Sequence, residues 1–138
     1  MGKQYESLSE KLTEFIAEQK IFFVGTATGS SRVNVSPKGM DTLRVLNNNR
    51  VIWLNVTGSG NETSAHVQLD PRMTIMFCAF EGQPLILRLY GTVRVIHKKD
   101  DDWKDLFLQV LLRSFSSFLE VLIPSCLYQI SFGFLKSN

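Results

Sequence analysis

The sequence predicts a mainly β protein: a small antiparallel barrel of six strands with helices on its flanks. Strand-like runs separated by short polar turns fill residues 21–97. Helical spacing of apolar residues is limited to the two ends and one short central segment. The length of 138 residues fits one domain, 1–138. Closing these apolar strands into a barrel would remove their exposed edges.

An N-terminal helix is predicted over residues 1–20, where apolar residues recur at spacings of three and four between charged ones. These residues are Tyr5, Leu8, Leu12, Phe15 and Ile16. Ser7, with Glu10 three residues later, fits a capping box at the start of the helix. The amphipathic pattern indicates that this helix covers one end of the sheet.

The barrel strands are predicted to begin with a hairpin. IFFVGTAT and the alternating run RVNVS flank the turn at residues 29–31, and Pro37 and Gly39 end the second strand. An extended run over 42–46 and, after an asparagine turn, a strand over 51–56 follow. A meander of neighbouring strands is the simplest arrangement of these segments.

The second half of the chain predicts a short helix, two strands and a last helix. The helix covers 61–69, and Asp70-Pro71 stops it. The strand at 73–80 is apolar almost throughout and is expected to be buried on both faces, and a long strand at 85–97 follows it. Helical spacing returns over 101–123, where charged residues interrupt the run, so a buried or interfacial helix is expected rather than a membrane span.

Composition excludes several classes of function. Fifteen Lys and Arg against thirteen Asp and Glu leave a formal charge of +2, scattered along the chain, which disfavours nucleic acid but allows one small anionic ligand. Cys78 and Cys126 belong to no CxxC pair and predict neither a zinc site nor a disulfide framework. Reduced thiols and a charged N-terminus predict a cytoplasmic protein. The sequence has no GxSxG or HExxH motif, and it nominates no catalytic residue and no metal ligand.

The segment NVTGSGNETSAH offers a helix N-terminus rich in small polar residues. Free backbone N–H groups at such a terminus can hold one phosphate, although Ser, Asn and Thr are also ordinary capping residues. Lys38 and Arg44 lie on strands expected beside this loop. If both point at it, two cations and a helix N-terminus form a phosphate-sized site.

Together these segments resemble the FMN-binding split-barrel family, the group of pyridoxamine 5'-phosphate oxidase and its relatives. The resemblance spans about Phe15 to His97 and rests on FFVGTA, VNVSPKGMDTLRVL, WLNVTGSGNETSAHV with DPR after it, and MFCAFEG with LRLYGTVRV. It implies a six-stranded split barrel of the FMN-binding type. It also implies a homodimer with flavin at the subunit interface and a small-molecule substrate. The near-neutral charge and the interrupted last helix predict no nucleic acid and no membrane as partner.

The resemblance further implies which positions surround the cofactor. In one subunit they are Val35, Ser36, Lys38, Leu54, Asn55, Val56, Thr57, Asn61, Glu62, Thr63 and His66. From the partner or the adjoining strand they are Phe80, Arg88 and Tyr90. Two departures stand out. Glu62-Thr63 occupies the place of a basic pair in the oxidases, and the tail LIPSCLYQISFGFLKSN has no Arg or His to grip vitamin B6, so oxidation of that vitamin is not expected.

Three functions follow from the sequence. The first is an FMN-dependent oxidoreductase acting on a small molecule, in which the flavin carries the chemistry. The second is a flavin-binding or flavin-sensing module of the same fold without turnover. The third is an OB-like barrel that binds single-stranded nucleic acid through scattered basic and aromatic residues, against which the near-neutral charge weighs.

Overall fold

The structure is a computed structural model that describes residues 2–56, 61–112 and 124–138. Within these ranges the chain forms eight strands and three helices. In chain order they are β1 (Lys3–Tyr5), α1 (Glu10–Glu18), β2 (Phe22–Thr26), β3 (Asn34–Lys38), β4 (Leu43–Asn47), β5 (Arg50–Val56), α2 (Asn61–Leu69), β6 (Arg72–Cys78), β7 (Ile86–Ile96), α3 (Trp103–Leu111) and β8 (Pro124–Ser137).

The predicted fold class is confirmed: a curled antiparallel sheet with helices on its flanks. The strand order is β3-β2-β6-β7-β8-β5-β4, and β1 pairs with the end of β8. The predicted hairpin is present as β2 and β3, with Thr26 opposite Asn34 and Phe22 opposite Lys38. The strand count differs from the prediction, because eight strands are present among the described residues where six were expected.

The N-terminal helix is shorter than predicted. Residues 3–5 form β1, and α1 starts after Ser9, whose side-chain oxygen accepts a hydrogen bond from the backbone N–H of Leu12 at 3.3 Å. The capping box predicted at Ser7 is therefore wrong, since the cap is Ser9. The amphipathic pattern is correct, because Leu12 and Ile16 are buried in the main core.

Strand β8 was not predicted, and it is central to the sheet. It pairs with β7 on one side and with β5 and then β1 on the other. Of the helix predicted over 101–123, the structure describes α3 at Trp103–Leu111, and residues 113–123 lie outside the described residues. A central strand of the sheet therefore comes from Pro124–Ser137, where no strand was predicted.

Two apolar cores hold the sheet. The larger lies on the face of the sheet that α1 covers, and it includes Val24, Trp53 and Ile75. The smaller lies between β5, β8 and α3, where Ile52 and Leu127 pack with Trp103. Burial of apolar side chains on both sides of β5 explains why that strand has almost no polar residue in its middle.

Strand β6 is buried on one face, although burial on both was predicted. Met73, Ile75 and Phe77 are buried, whereas Thr74, Met76 and Cys78 are half-buried on the opposite face. We call the opposite face, shared by β3, β2, β6, β7 and the end of β8, the outer face. In the described part of the chain, no helix has the length and apolarity that crossing a bilayer requires.

Candidate functional site

A groove of about 600 Å³ crosses the outer face of the sheet. Its walls are mainly apolar, and they include Phe23, Gly25, Ala27, Val33, Val35, Thr74, Met76 and Tyr90. Small-molecule sites measure roughly 300–1,000 Å³ and have mostly apolar linings. The groove therefore has the size and chemistry of a ligand site.

The strand registers explain why these side chains meet. Val35 is opposite Gly25, Gly25 is opposite Thr74, and Thr74 is opposite Tyr90, so one row of residues crosses four strands. Residues directly opposite each other share a face of the sheet. A Cβ atom at Gly25 would lie 3.7 Å from the carbonyl oxygen of Thr74, an ordinary contact. The missing side chain at Gly25 thus leaves the floor of the groove open.

A buried polar cluster lies at the end of the groove where β2 finishes. Thr26 Oγ1 forms a hydrogen bond of 3.1 Å with Nδ1 of His66. The Asn34 amide donates to Thr63 Oγ1 at 3.0 Å and to Thr26 Oγ1 at 3.3 Å. Thr26, Thr63 and His66 are all buried. Because buried polar groups need partners, this cluster fixes α2 against the ends of β2 and β3.

Lys38 lies in a second, smaller cavity of about 130 Å³, at the end of β5. Its Nζ atom lies 5.4 Å from the ring centroid of Trp53, which stacks on Tyr128 at 4.7 Å. Partial burial lowers the pKa of Lys38 below its ordinary value. Burial, reinforced by Cys126, raises the pKa of Tyr128 above its ordinary range. The predicted residues Leu54, Asn55 and Val56 line this same cavity.

The structure does not bring Lys38 and Arg44 together. Arg44 lines a different cavity, of about 270 Å³, and its guanidinium donates to both carboxylate oxygens of Asp41, at 2.7 and 3.0 Å. It also donates to the carbonyl oxygen of Leu43. The expected convergence of two cations on one phosphate is therefore absent, and Lys38 alone of the two lines the cavity at the end of β5.

The other predicted positions divide between these places. Val35 and Tyr90 line the groove, and Thr63 and His66 belong to the polar cluster. The remaining described positions lie at the first turn of α2, on β3, on β7 and in the turn after β6; they are Asn61, Glu62, Ser36, Arg88 and Phe80. Thr57 lies outside the described residues.

Most residues of the groove and its polar end escaped the sequence prediction, which named only Val35 and Tyr90 of the groove. Gly25, Asn34 and Met76 are three of the missed residues. The hairpin register would have placed two of them, because residues opposite Val35 and Thr26 must share their faces. Met76 lies in a strand for which burial on both faces was predicted, so it was not expected to line an open groove. Among the described residues, no three His, Cys, Asp or Glu side chains lie close enough together to hold a metal ion.

Comparison with known proteins identifies the family and the fold. The family model for pyridoxamine 5'-phosphate oxidase matches residues 8–119, most of the chain. The chain belongs to the pyridoxamine 5'-phosphate oxidase family. The pyridoxamine 5'-phosphate oxidase family protein ustO of Aspergillus flavus is 37% identical over 134 residues, which cover 94% of this chain and 54% of ustO. The chain thus spans about half the length of this family member.

Solved structures of the pyridoxamine 5'-phosphate oxidase fold include proteins that bind different cofactors. The heme storage protein HutZ of Vibrio cholerae matches with a TM-score of 0.69 and 18% identity, covering 92% of both chains. An FMN-binding protein of Syntrophomonas wolfei matches with a TM-score of 0.64 and 13% identity, covering 88% of this chain and 80% of that one. At these identities the likeness shows the shared fold.

Proposed function

We propose that this protein binds FMN in the groove of the outer face and acts as an oxidoreductase on a small molecule. The observation that carries the proposal is the groove itself, an apolar cradle of about 600 Å³ with no side chain at Gly25. The ring system of a flavin is flat and largely apolar, which suits such a lining. Membership of the family and the FMN-binding relative in Syntrophomonas wolfei support it.

Different residues of the chain would hold the two parts of FMN, its ring and its phosphate. Val35, Met76 and Tyr90 would pack against the flavin ring, since their apolar surfaces line the groove. β3 is an edge strand of the sheet, and Lys38, its last residue, lies in the separate cavity at the end of β5. The phosphate tail would therefore pass around β3 to reach the ammonium of Lys38 and the backbone N–H groups in the first turn of α2. Glu62 opposes this attraction from the same turn. The bound flavin would supply hydride or electron transfer.

The groove needs a cover to exclude water, and we propose that a second copy of the chain supplies it. Val33 and Val35 are 72% and 62% exposed on the rim of an apolar groove. A continuous apolar patch of this kind marks an interaction surface more often than bare surface. A homodimer formed through the outer face would place each flavin between two subunits.

The side chains of the groove favour chemistry with few proton transfers. Among the described lining residues, the side chains that can donate a proton or a hydrogen bond include Thr74, Tyr90 and Arg72. Arg72 is held by Asp70 at 2.5 Å. The hydroxyls of Thr74 and Tyr90 would bond the polar edge of the ring, while the apolar residues exclude water.

The proposal is tested on protein incubated with FMN, by its visible spectrum, by mass spectrometry of the released cofactor and by sedimentation of the protein. We expect the two flavin absorption bands, one FMN per chain released on denaturation, and a dimer by sedimentation. Reduction of the bound flavin by NADH or NADPH would separate the enzyme from a flavin-binding module without turnover. A colourless monomer, or a heme Soret band in place of the flavin bands, would refute FMN binding.

Replacing Lys38 by Gln is expected to weaken FMN binding by about 1–3 kcal/mol, the cost of losing one charge-assisted interaction. Riboflavin, which has no phosphate, should lose little affinity. Fluorescence titration of both flavins measures the difference, and Lys20→Gln serves as the control because Lys20 is an exposed cation on the neighbouring loop. Equal losses for FMN and riboflavin would show that Lys38 does not contact the phosphate.

A further inference from the structure

Two cations face each other on the outer face beyond the groove. Arg88 of β7 and Lys136 of β8 are Cα partners in the antiparallel ladder, and both are half-buried. Side chains directly opposite in such a ladder have Cβ atoms about 4.5–5.5 Å apart, and like charges there repel. This pair therefore has an unfavourable energy unless an anion lies between the two side chains.

The described residues supply no such anion. The described parts of the chain contain no ion pair or hydrogen bond from the side chain of Arg88 or Lys136. Other cations on β6 and β7 are neutralised, since Arg72 pairs with Asp70 and Arg94 with Asp102. The cation pair is thus a local exception on a surface whose neighbouring charges are balanced.

A second copy of the chain that docks through the same face would not neutralise the charge of the cation pair. The row of residues that contains the pair crosses the sheet from β3 to β1 and includes no carboxylate. Its members are Pro37, Phe23, Met76, Arg88, Lys136 and Gln4. The row beside it is Val35, Gly25, Thr74, Tyr90 and Phe134. An isologous dimer presents these same rows from both subunits.

An aromatic pair adjoins the cations. Tyr90 and Phe134 are the next pair on this face, their ring centroids are 5.4 Å apart, and they are 37% and 38% exposed. Tyr90 also lines the groove, so the aromatic pair connects the groove to the cations. Arg88 lies three strands from Lys38, on the order of 14 Å at about 4.8 Å per strand, and is therefore separate from the phosphate end.

We propose that Arg88 and Lys136 bind the acidic group of a planar organic acid, whose ring rests on Tyr90 and Phe134. Guanidinium and ammonium groups together suit a carboxylate or a phosphate, and the aromatic pair suits a flat apolar body. This assignment rests on the proposed function, because it names the substrate class of the same groove. The acid would lie at the end of the groove that Tyr90 lines.

The test is calorimetric titration of the FMN-loaded and the flavin-free protein with benzoate, phenyl phosphate and uncharged benzyl alcohol. Benzoate or phenyl phosphate should bind, and benzyl alcohol should bind more weakly. Arg88→Gln and Lys136→Gln should each weaken binding of the acid by about tenfold. Arg94→Gln, on the same strand and face but paired with Asp102, is the matched control and should change it by less than about twofold.

The flavin is titrated in parallel to separate the two proposals. Unchanged FMN affinity in Arg88→Gln and Lys136→Gln, with the acid lost, supports an acid site. A parallel loss of FMN but not riboflavin would mean that the pair holds the flavin phosphate, which overturns the assignment. Failure of both acids to bind the wild type overturns it too. Acid binding by a protein that takes up no FMN would refute only the proposed cofactor.

Discussion

Gly25→Leu is expected to abolish FMN uptake while leaving the protein folded. The Cβ of residue 25 would point into the groove between Val35 and Thr74, so a leucine side chain there would occupy the space proposed for the flavin ring. We expect a loss of at least about a hundredfold in affinity, or roughly 3 kcal/mol. Fluorescence titration with FMN measures the affinity, and urea denaturation measures the free energy of unfolding.

Two glycine variants control this experiment. Gly25→Ala adds a Cβ at ordinary contact distance from Thr74 and should retain most of the FMN affinity. Gly133→Leu places the same side chain in open space on β8 and should bind FMN like the wild type. Wild-type FMN affinity in a folded Gly25→Leu protein would show that the flavin lies elsewhere. The acid titration with benzoate would still test the Arg88 and Lys136 site.

The groove was predictable only in part, because its walls depend on pairings between distant strands. The hairpin of β2 and β3 follows from local alternation, and its register already sets Val35 opposite Gly25. The pairing of β2 with β6 joins residues about fifty positions apart, and no local pattern specifies it. The family resemblance supplied Val35 and Tyr90, while the residues between them come from this long-range pairing.

The failure at Arg44 has a local cause. The turn before β4 contains two consecutive residues with positive φ, Met40 at 60° and Asp41 at 55°. This conformation is uncommon for residues other than glycine. In this turn the Asp41 carboxylate accepts two hydrogen bonds from the Arg44 guanidinium. Spacing along the chain cannot show such a turn when neither of the two residues is glycine. Arg44 was therefore counted as a free cation, although the fold neutralises it.

The missing strand, β8, has a different cause. Its residues alternate over Tyr128, Ile130 and Phe132, but Phe132 and Leu135 are both buried although three positions apart. The register with β7 shifts at this point, so Tyr90 faces Phe134 and Gly91 faces Phe132, and Gly133 is the extra residue. A bulge of this kind interrupts the period of two by which strands are recognised.

The same bulge leads to the second large effect: Gly91→Ala is expected to destabilise the protein by about 3 kcal/mol. A Cβ at residue 91 would lie 2.5 Å from the carbonyl oxygen of Ser131 and 2.9 Å from Cγ2 of Ile130. The oxygen belongs to the backbone of β8, which is held on both sides by other strands, so neither strand can move away cheaply. Urea denaturation at unchanged m-value measures the loss.

Gly25→Ala is the matched control for Gly91→Ala, since both replace a strand glycine by the same residue. An added Cβ would lie 3.7 Å from its nearest neighbour at Gly25 and 2.5 Å from its nearest neighbour at Gly91. The two variants therefore differ mainly in the space available to the new methyl group. Gly25→Ala should change the free energy of unfolding by less than about 1 kcal/mol. Equal stability of the two variants would refute the close approach of β7 and β8.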